Sequence, residues 1–92
     1  MRALKGYKII YSNIARKELA KIDQAYVIKI TQKFQDLVNG SPNIDLKKLH
    51  GPLERYRLRV GIYRAIFEIH DKIVSILVIT VGHRKDVYKK IG

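Results

Sequence analysis

The segment from Arg55 to Tyr88 constrains the fold most strongly, because it contains three apolar-rich stretches separated by short turn sequences. Gly61-Ile62 suits a type II′ hairpin turn, and Asp71-Lys72 is predicted to form a second two-residue turn. A two-residue turn fixes the register of the strands it joins, so the face on which each side chain lies can be deduced. The segment therefore predicts two consecutive antiparallel hairpins.

The predicted register separates two faces of the sheet, since side chains alternate along a strand. With Val60 opposite Tyr63 and His70 opposite Ile73, the core face comprises Tyr56, Leu58, Val60, Tyr63, Ala65, Phe67, Ile69, Val74, Ile76 and Val78. The opposite face carries Arg55, Arg57, Arg59, Arg64, Glu68 and His70, with Ile66, Leu77 and Ile79 beside them. We call this second surface the arginine face.

The arginine face indicates a function rather than a packing role. Its four arginines repel one another, and Arg59 is predicted directly opposite Arg64, where like charges reduce stability. A binding site for a polyanion explains this arrangement. The alternative is that each arginine is an edge charge that prevents strands of different molecules from pairing.

The composition limits the functional classes. A chain of 92 residues is expected to form one domain, residues 1–92. Its 19 Lys and Arg against 8 Asp and Glu leave a net charge of +11, which favours nucleic acid or an acidic protein as partner. Cysteine is absent, which excludes disulfides and thiolate metal sites and suits a reducing cytosol. The N-terminus has no long apolar run, so we expect a cytoplasmic protein without a signal peptide or membrane span.

The first half of the chain predicts one strand and two helices. Residues 7–11 alternate as a short strand, and Ser12 can cap a helix that runs to about Ile22. Asp23 can cap a second helix, which Asn39-Gly40 ends.

The second half of the chain completes the predicted fold. Residues 41–53 read as a connecting loop before the three strands, and residues 83–92 form a short tail. The predicted order is β-α-α-β-β-β, an α+β fold with two N-terminal helices packed on one face of a small, antiparallel-rich sheet. We expect the first strand beside the last one, and the arginine face uncovered by the helices.

The candidate catalytic residues are expected to converge at one end of the arginine face. There is no Gly-rich phosphate loop, no metal-ligand spacing and no close pair of carboxylates, and no cofactor is expected. The residues in question are Arg57, Arg59, Arg64, His83, Arg84 and Tyr88. The ring of Tyr88 could instead pack the tail onto the sheet.

This residue set matches the needs of a metal-free ribonuclease, because RNA carries its own nucleophile in the 2′-OH. Arginines stabilise a phosphorane-like transition state, a histidine transfers protons near neutral pH, and a tyrosine stacks on a base or orients a phosphate. The expected products are a 2′,3′-cyclic phosphate and a 5′-hydroxyl.

The pattern KKLHG…YRLRVGIYRAIFEI…ILVITVGHRKDVY resembles the RelE side of the RelE/ParE toxin superfamily from toxin–antitoxin pairs. The resemblance covers nearly the whole chain. It implies the RelE fold, cleavage of mRNA in the ribosomal A site, and neutralisation by a RelB-like acidic antitoxin that wraps around the toxin. It also implies that operator DNA is contacted only through the antitoxin complex. The alternative within the superfamily is the ParE branch, which poisons DNA gyrase and generally lacks the RelE catalytic set.

Matched motif by motif, the resemblance assigns roles to individual residues. The basic pair on the second strand falls on Arg57 and Arg59, and the arginine that opens the third strand falls on Arg64. The arginine and tyrosine after the last strand fall on Arg84 and Tyr88. We further expect RNA contacts from the basic residues Arg55, Lys47, Lys48 and Lys85.

The chain departs from the best-known RelE enzymes at the basic pair, where those enzymes carry lysines. Arginine stays protonated and is a poor general base. Either His83 transfers the proton in this chain, or Arg57 and Arg59 act only electrostatically.

Overall fold

A mixed sheet carries both helices on one side. The computed structural model describes residues 2–83. Its elements are β1 (Lys8–Tyr11), α1 (Asn13–Leu19), α2 (Gln24–Val38), β2 (Asp45–Lys48), β3 (Arg55–Val60), β4 (Tyr63–His70), a 3₁₀ turn (Asp71–Ile73) and β5 (Ser75–His83). The strand order is β1-β5-β4-β3-β2, with β1 parallel to β5 and all other neighbours antiparallel. The predicted α+β class and the position of β1 beside the last strand are confirmed.

Both helices begin at the predicted caps. The Ser12 hydroxyl accepts a hydrogen bond from the Ala15 amide at 3.0 Å and donates one to the Ile79 carbonyl at 2.7 Å, which ties α1 to β5. The Asp23 carboxylate caps α2 by accepting a hydrogen bond from the Ala25 amide at 3.3 Å. α1 ends at Leu19, three residues earlier than predicted. Neither helix in residues 2–83 is long and apolar enough to cross a membrane.

The core lies between α2 and the sheet. Apolar side chains of α2 recur at helical spacing and are buried against β3, β4 and β5. At its centre the ring of Phe34 meets that of Phe67 edge-on, with centroids 5.7 Å apart. This packing occupies one side of the sheet, so the side chains that alternate with the core residues lie on the arginine face.

The first hairpin has the predicted register, whereas the second does not. Gly61 has φ +59° and Val60 pairs with Tyr63, so the two-residue turn is confirmed. His70 pairs with Ser75 rather than Ile73, because a 3₁₀ turn replaces the predicted two-residue turn. Val74, predicted in the core, adopts left-handed backbone at φ 48° and is exposed. The shift of two residues preserves the side-chain alternation, so Ile76 and Val78 still lie in the core as predicted.

Two further differences concern β2 and β5. Residues 45–48 form an edge strand, although the sequence predicts a loop there; the strand is short and charged, as edge strands often are. In β5, Phe67 pairs with Val78 and Ile66 pairs with Thr80, so Ile79 is an extra residue that forms a bulge. A bulge of one residue reverses the facing of every later side chain in the strand.

Candidate functional site

Three neighbouring strands build the arginine face. β3 supplies the arginines at positions 55, 57 and 59, and β4 supplies Arg64. The register with β2 adds two more residues to this face, because Asp45 pairs with Arg59 and Lys47 pairs with Arg57. Lys47 therefore lies on the arginine face, and its proposed contact with RNA stays a prediction.

Arg59 and Arg64 lie directly opposite each other, as predicted. Arg59 is exposed at the end of the hairpin, where its Nε donates to the Gly61 carbonyl at 3.5 Å. Arg64 is half-buried and pairs with Gly82 of β5. This end of the face therefore holds two cationic groups on adjacent strands.

Arg57 is held in place by a carboxylate of the neighbouring strand. Its side chain is only 12% exposed, and its Nη2 donates to Asp45 Oδ1 at 2.7 Å. The Nε of Arg57 is buried and has no hydrogen-bond partner among residues 2–83. Asp45 thus fixes one nitrogen of the guanidinium, whereas the buried Nε makes no hydrogen bond within the described residues.

The other end of the face is electrically balanced. Arg55 Nε donates to Glu68 Oε2 at 2.5 Å, and His70 Nε2 lies 2.9 Å from Glu68 Oε1. Burial acts to raise the pKa of Glu68, but the hydrogen bonds from Arg55 and His70 outweigh it and leave the pKa below its usual range. Because Glu68 neutralises Arg55, the excess positive charge lies towards the β3–β4 turn.

The centre of the arginine face is not open, contrary to prediction. Ile66 lies on this face between its cross-strand neighbours Arg57 and Thr80, yet it is completely buried, and Thr80 is 1% exposed. Glu18 of α1 reaches the edge of β5, where it accepts hydrogen bonds from the Thr80 hydroxyl at 2.8 Å and the Val81 amide at 2.8 Å. The accessible part of the face is consequently its rim along β2 and the β3–β4 turn.

Two predicted site residues lie on the opposite side of the sheet. Because of the bulge at Ile79, His83 pairs with Tyr63, whose side chain belongs to the core face. Lys48 pairs with Tyr56 on the same side. The predicted convergence of His83 with the arginines is therefore wrong, since directly paired residues share a face. The proposed RNA contact of Lys48 stays a prediction.

The remaining predicted site residues, Arg84, Lys85 and Tyr88, lie outside the described residues, and their roles stay predictions.

Asp45 was not identified from the sequence as a site residue. The signal that could have identified it is the alternation in Asp45-Leu46-Lys47, which places both charged residues on one side of a strand. Within residues 2–83, no three His, Asp or Glu side chains come together as a metal site.

A cleft of about 770 Å³ lies on the helix side, between the N-terminal segment, the end of α2 and β2. Apolar side chains line part of it, including Leu37, Ile44 and Leu46, and basic residues such as Lys5 and Lys48 also contribute. Lys48 therefore belongs to this second basic surface.

Comparison with known proteins agrees with this architecture. Residues 2–88 match the family model described as the ParE toxin of type II toxin–antitoxin systems. The chain belongs to the RelE/ParE toxin superfamily. It is thus a toxin of a type II toxin–antitoxin system with a RelE-like structure. No curated protein sequence matches it significantly.

Solved toxins of this superfamily share the fold. The isolated RelE toxin of E. coli is 28% identical, with a TM-score of 0.72, over 94% of this chain and 95% of that one. RelE in the archaeal RelE–RelB complex of Pyrococcus horikoshii is 26% identical, with a TM-score of 0.71, over 85% of this chain and 94% of that one. The RelBE2 toxin–antitoxin complex of Mycobacterium tuberculosis provides a third match at 25% identity and a TM-score of 0.70, over 85% of this chain and 98% of that one.

Proposed function

We propose that the toxin is a ribosome-dependent endoribonuclease that cleaves mRNA and thereby arrests translation and growth. The observation that carries this proposal is the arrangement of Arg57, Arg59 and Arg64. Arg57 is oriented by Asp45, and the other two face each other across adjacent strands. Cations arranged in advance in this way stabilise a phosphoryl group as it gains negative charge.

The proposed reaction is an internal transesterification. The 2′-OH of one nucleotide attacks the adjacent phosphorus, and the bond to the 5′-oxygen of the next nucleotide breaks. The products are a 2′,3′-cyclic phosphate and a 5′-hydroxyl. The substrate contains the nucleophile and the arginines stabilise the developing charge, so the reaction requires no metal or cofactor. By resemblance, Arg84 would contribute a further cation and Tyr88 would stack on a base.

We propose as partner an acidic, RelB-like antitoxin, and operator DNA would be bound only through that complex. Structures of RelE proteins from Pyrococcus horikoshii and Mycobacterium tuberculosis with their antitoxins support this assignment. The net charge of +11 favours an acidic partner, and the helix-side cleft offers apolar and basic groups together. We place the toxin in the cytoplasm, where the ribosome and mRNA are found.

A second candidate function is inhibition of DNA gyrase without nuclease activity. It is favoured by the family model, which describes ParE toxins. On this alternative the arginine face would contact a protein surface or DNA rather than a phosphate undergoing cleavage.

The two candidates are separated by inducing the toxin in cells and mapping the 5′ ends of mRNA. Cleavage within translated frames, absent when translation is blocked beforehand, is the result expected of an mRNA endonuclease. Intact mRNA together with DNA damage would contradict the nuclease proposal and support gyrase inhibition. Purified toxin added to ribosomes programmed with a defined mRNA tests the same distinction without cellular nucleases.

A further inference from the structure

The proposed reaction needs a group that accepts the proton of the 2′-OH. Arg57 and Arg59 cannot serve, because a guanidinium remains protonated at all relevant pH values. His83, the candidate suggested by the sequence, lies on the opposite side of the sheet. Within residues 2–83, the acceptor must therefore be sought among the other residues of the arginine face.

Three carboxylates of the described residues reach this face, and two of them are occupied. Glu68 contacts both Arg55 and His70, and its side chain is only 12% exposed. Glu18 accepts hydrogen bonds from the Thr80 hydroxyl and the Val81 amide. Neither carboxylate is placed to receive a proton from a bound RNA.

Asp45 differs from both in position and accessibility. It lies on the edge strand β2, its side chain is 55% exposed, and it pairs with Arg59 in the strand register. One carboxylate oxygen, Oδ1, accepts from Arg57 Nη2 at 2.7 Å, and no hydrogen bond from residues 2–83 reaches Oδ2. The carboxylate is therefore oriented through one oxygen, its other oxygen is not engaged by residues 2–83, and more than half of the side chain is exposed.

We propose that Asp45 is the general base of the cleavage reaction, an inference that rests on the proposed nuclease function. Asp45 Oδ2 takes the proton as the 2′-oxygen forms its bond to phosphorus. The bond from phosphorus to the 5′-oxygen breaks, and this leaving oxygen takes a proton from water. Asp45 then releases its proton to solvent. Arg57 holds the carboxylate in place and offers its remaining donors to the phosphate oxygens.

The test is single-turnover cleavage of ribosome-bound mRNA by the full-length toxin and three Asp45 variants. Asp45→Asn should slow cleavage by about 10²–10⁴-fold, the usual loss when a general base is removed. Its affinity for a non-cleavable mRNA carrying a 2′-deoxy substitution should be unchanged or higher, because the variant removes a negative charge from an anion site. Asp45→Glu should recover part of the rate. Asp36→Asn, a carboxylate change on α2, is the matched control and should cleave at the wild-type rate.

Chemical rescue separates a base from an anchor for Arg57. Imidazole can accept a proton but carries no negative charge, whereas acetate can both accept a proton and pair with a guanidinium. We expect imidazole and acetate each to restore cleavage by Asp45→Ala. Rescue by acetate alone, or by neither compound, overturns the assignment, and so does a wild-type rate in Asp45→Asn. If the wild-type toxin itself fails to cleave ribosome-bound mRNA, the proposed function fails and the inference fails with it.

Discussion

At the scale of single residues, the arginines of this toxin differ in what surrounds them. Arg55 is neutralised by Glu68, and Arg57 is oriented by Asp45, whereas the one contact of Arg59 within residues 2–83 is a long hydrogen bond to the Gly61 carbonyl. Arg64 lies opposite Arg59 with a half-buried side chain. Arginines in such different surroundings are expected to contribute unequally to catalysis, and removing them one by one can show which ones contact the phosphate.

Arg64→Ala should abolish growth inhibition while the protein remains folded. The residue is proposed to stabilise negative charge in the transition state, and loss of one such contact costs about 2–4 kcal/mol. Single-turnover cleavage and thermal unfolding should be measured together. Arg16→Ala, which removes an exposed arginine of α1, is the control for the loss of one positive charge. A folded Arg64→Ala variant with full toxicity would remove Arg64 from the proposed site.

At the scale of elements, local turn chemistry explains which features could be predicted. The first hairpin was predictable because its two-residue turn requires positive φ, which Gly61 adopts without strain, and this turn fixes the pairing of the two strands beside it. The second turn was not, since it places Val74 in a conformation that β-branched residues rarely adopt. β2 was not predicted because it lacks a strong apolar alternation. The bulge at Ile79 has no local sequence signal, so the side of the sheet on which His83 lies could not be deduced.

The Gly61 turn should be sensitive to any side chain. Gly61→Ala places a Cβ in left-handed backbone and 3.1 Å from the ring of Tyr26, which packs edge-on against Tyr63. The backbone contribution alone is about 1–2 kcal/mol. Gly40→Ala has a similar positive φ, but no atom lies within 4 Å of the added Cβ. Urea unfolding should show a larger loss of stability for Gly61→Ala than for Gly40→Ala, and equal losses would show that the Tyr26 contact is unimportant.

The cross-strand pair Arg55–Glu68 should make the free energy of unfolding depend on pH in the acidic range. The pKa of Glu68 is lowered from its ordinary value of 4.5 in the folded protein. The ionised carboxylate therefore stabilises the fold fully above about pH 4.5, and this contribution is lost as the pH falls through the lower folded-state pKa. Glu68→Gln should reduce stability at pH 7 by about 1.5–3 kcal/mol, the range for hydrogen bonds to charged groups. Urea unfolding from pH 3 to 7 should show this difference shrinking below pH 4.5. A difference that is constant with pH would mean that the charge of Glu68 is irrelevant.

At the scale of the whole molecule, the toxin has two separate basic surfaces. The arginine face lies on one side of the sheet, and the helix-side cleft with Lys5 and Lys48 lies on the other. A partner that contacts only one of these surfaces would leave the basic residues of the other uncovered. A long acidic segment that extends over both sides would neutralise the basic residues of both surfaces and would also cover the apolar residues of the cleft.

We therefore expect co-expression of the toxin with a small acidic protein encoded by an adjacent gene to restore growth and to yield a co-purifying complex. The acidic segment should gain ordered structure on binding, because it buries apolar residues only in the complex. The far-ultraviolet circular dichroism signal of the complex should then exceed the sum of the signals of the separate proteins.

Leu37→Asp, which introduces a negative charge into the cleft, should weaken the complex, whereas Ile14→Asp, at an exposed apolar residue of α1, is the control. Because Leu37 is itself largely buried, the thermal unfolding of each variant must be compared with the wild type first. If no neighbouring gene product binds, the proposed acidic antitoxin is not the partner; if binding withstands Leu37→Asp in a folded variant, the cleft is not part of the interface.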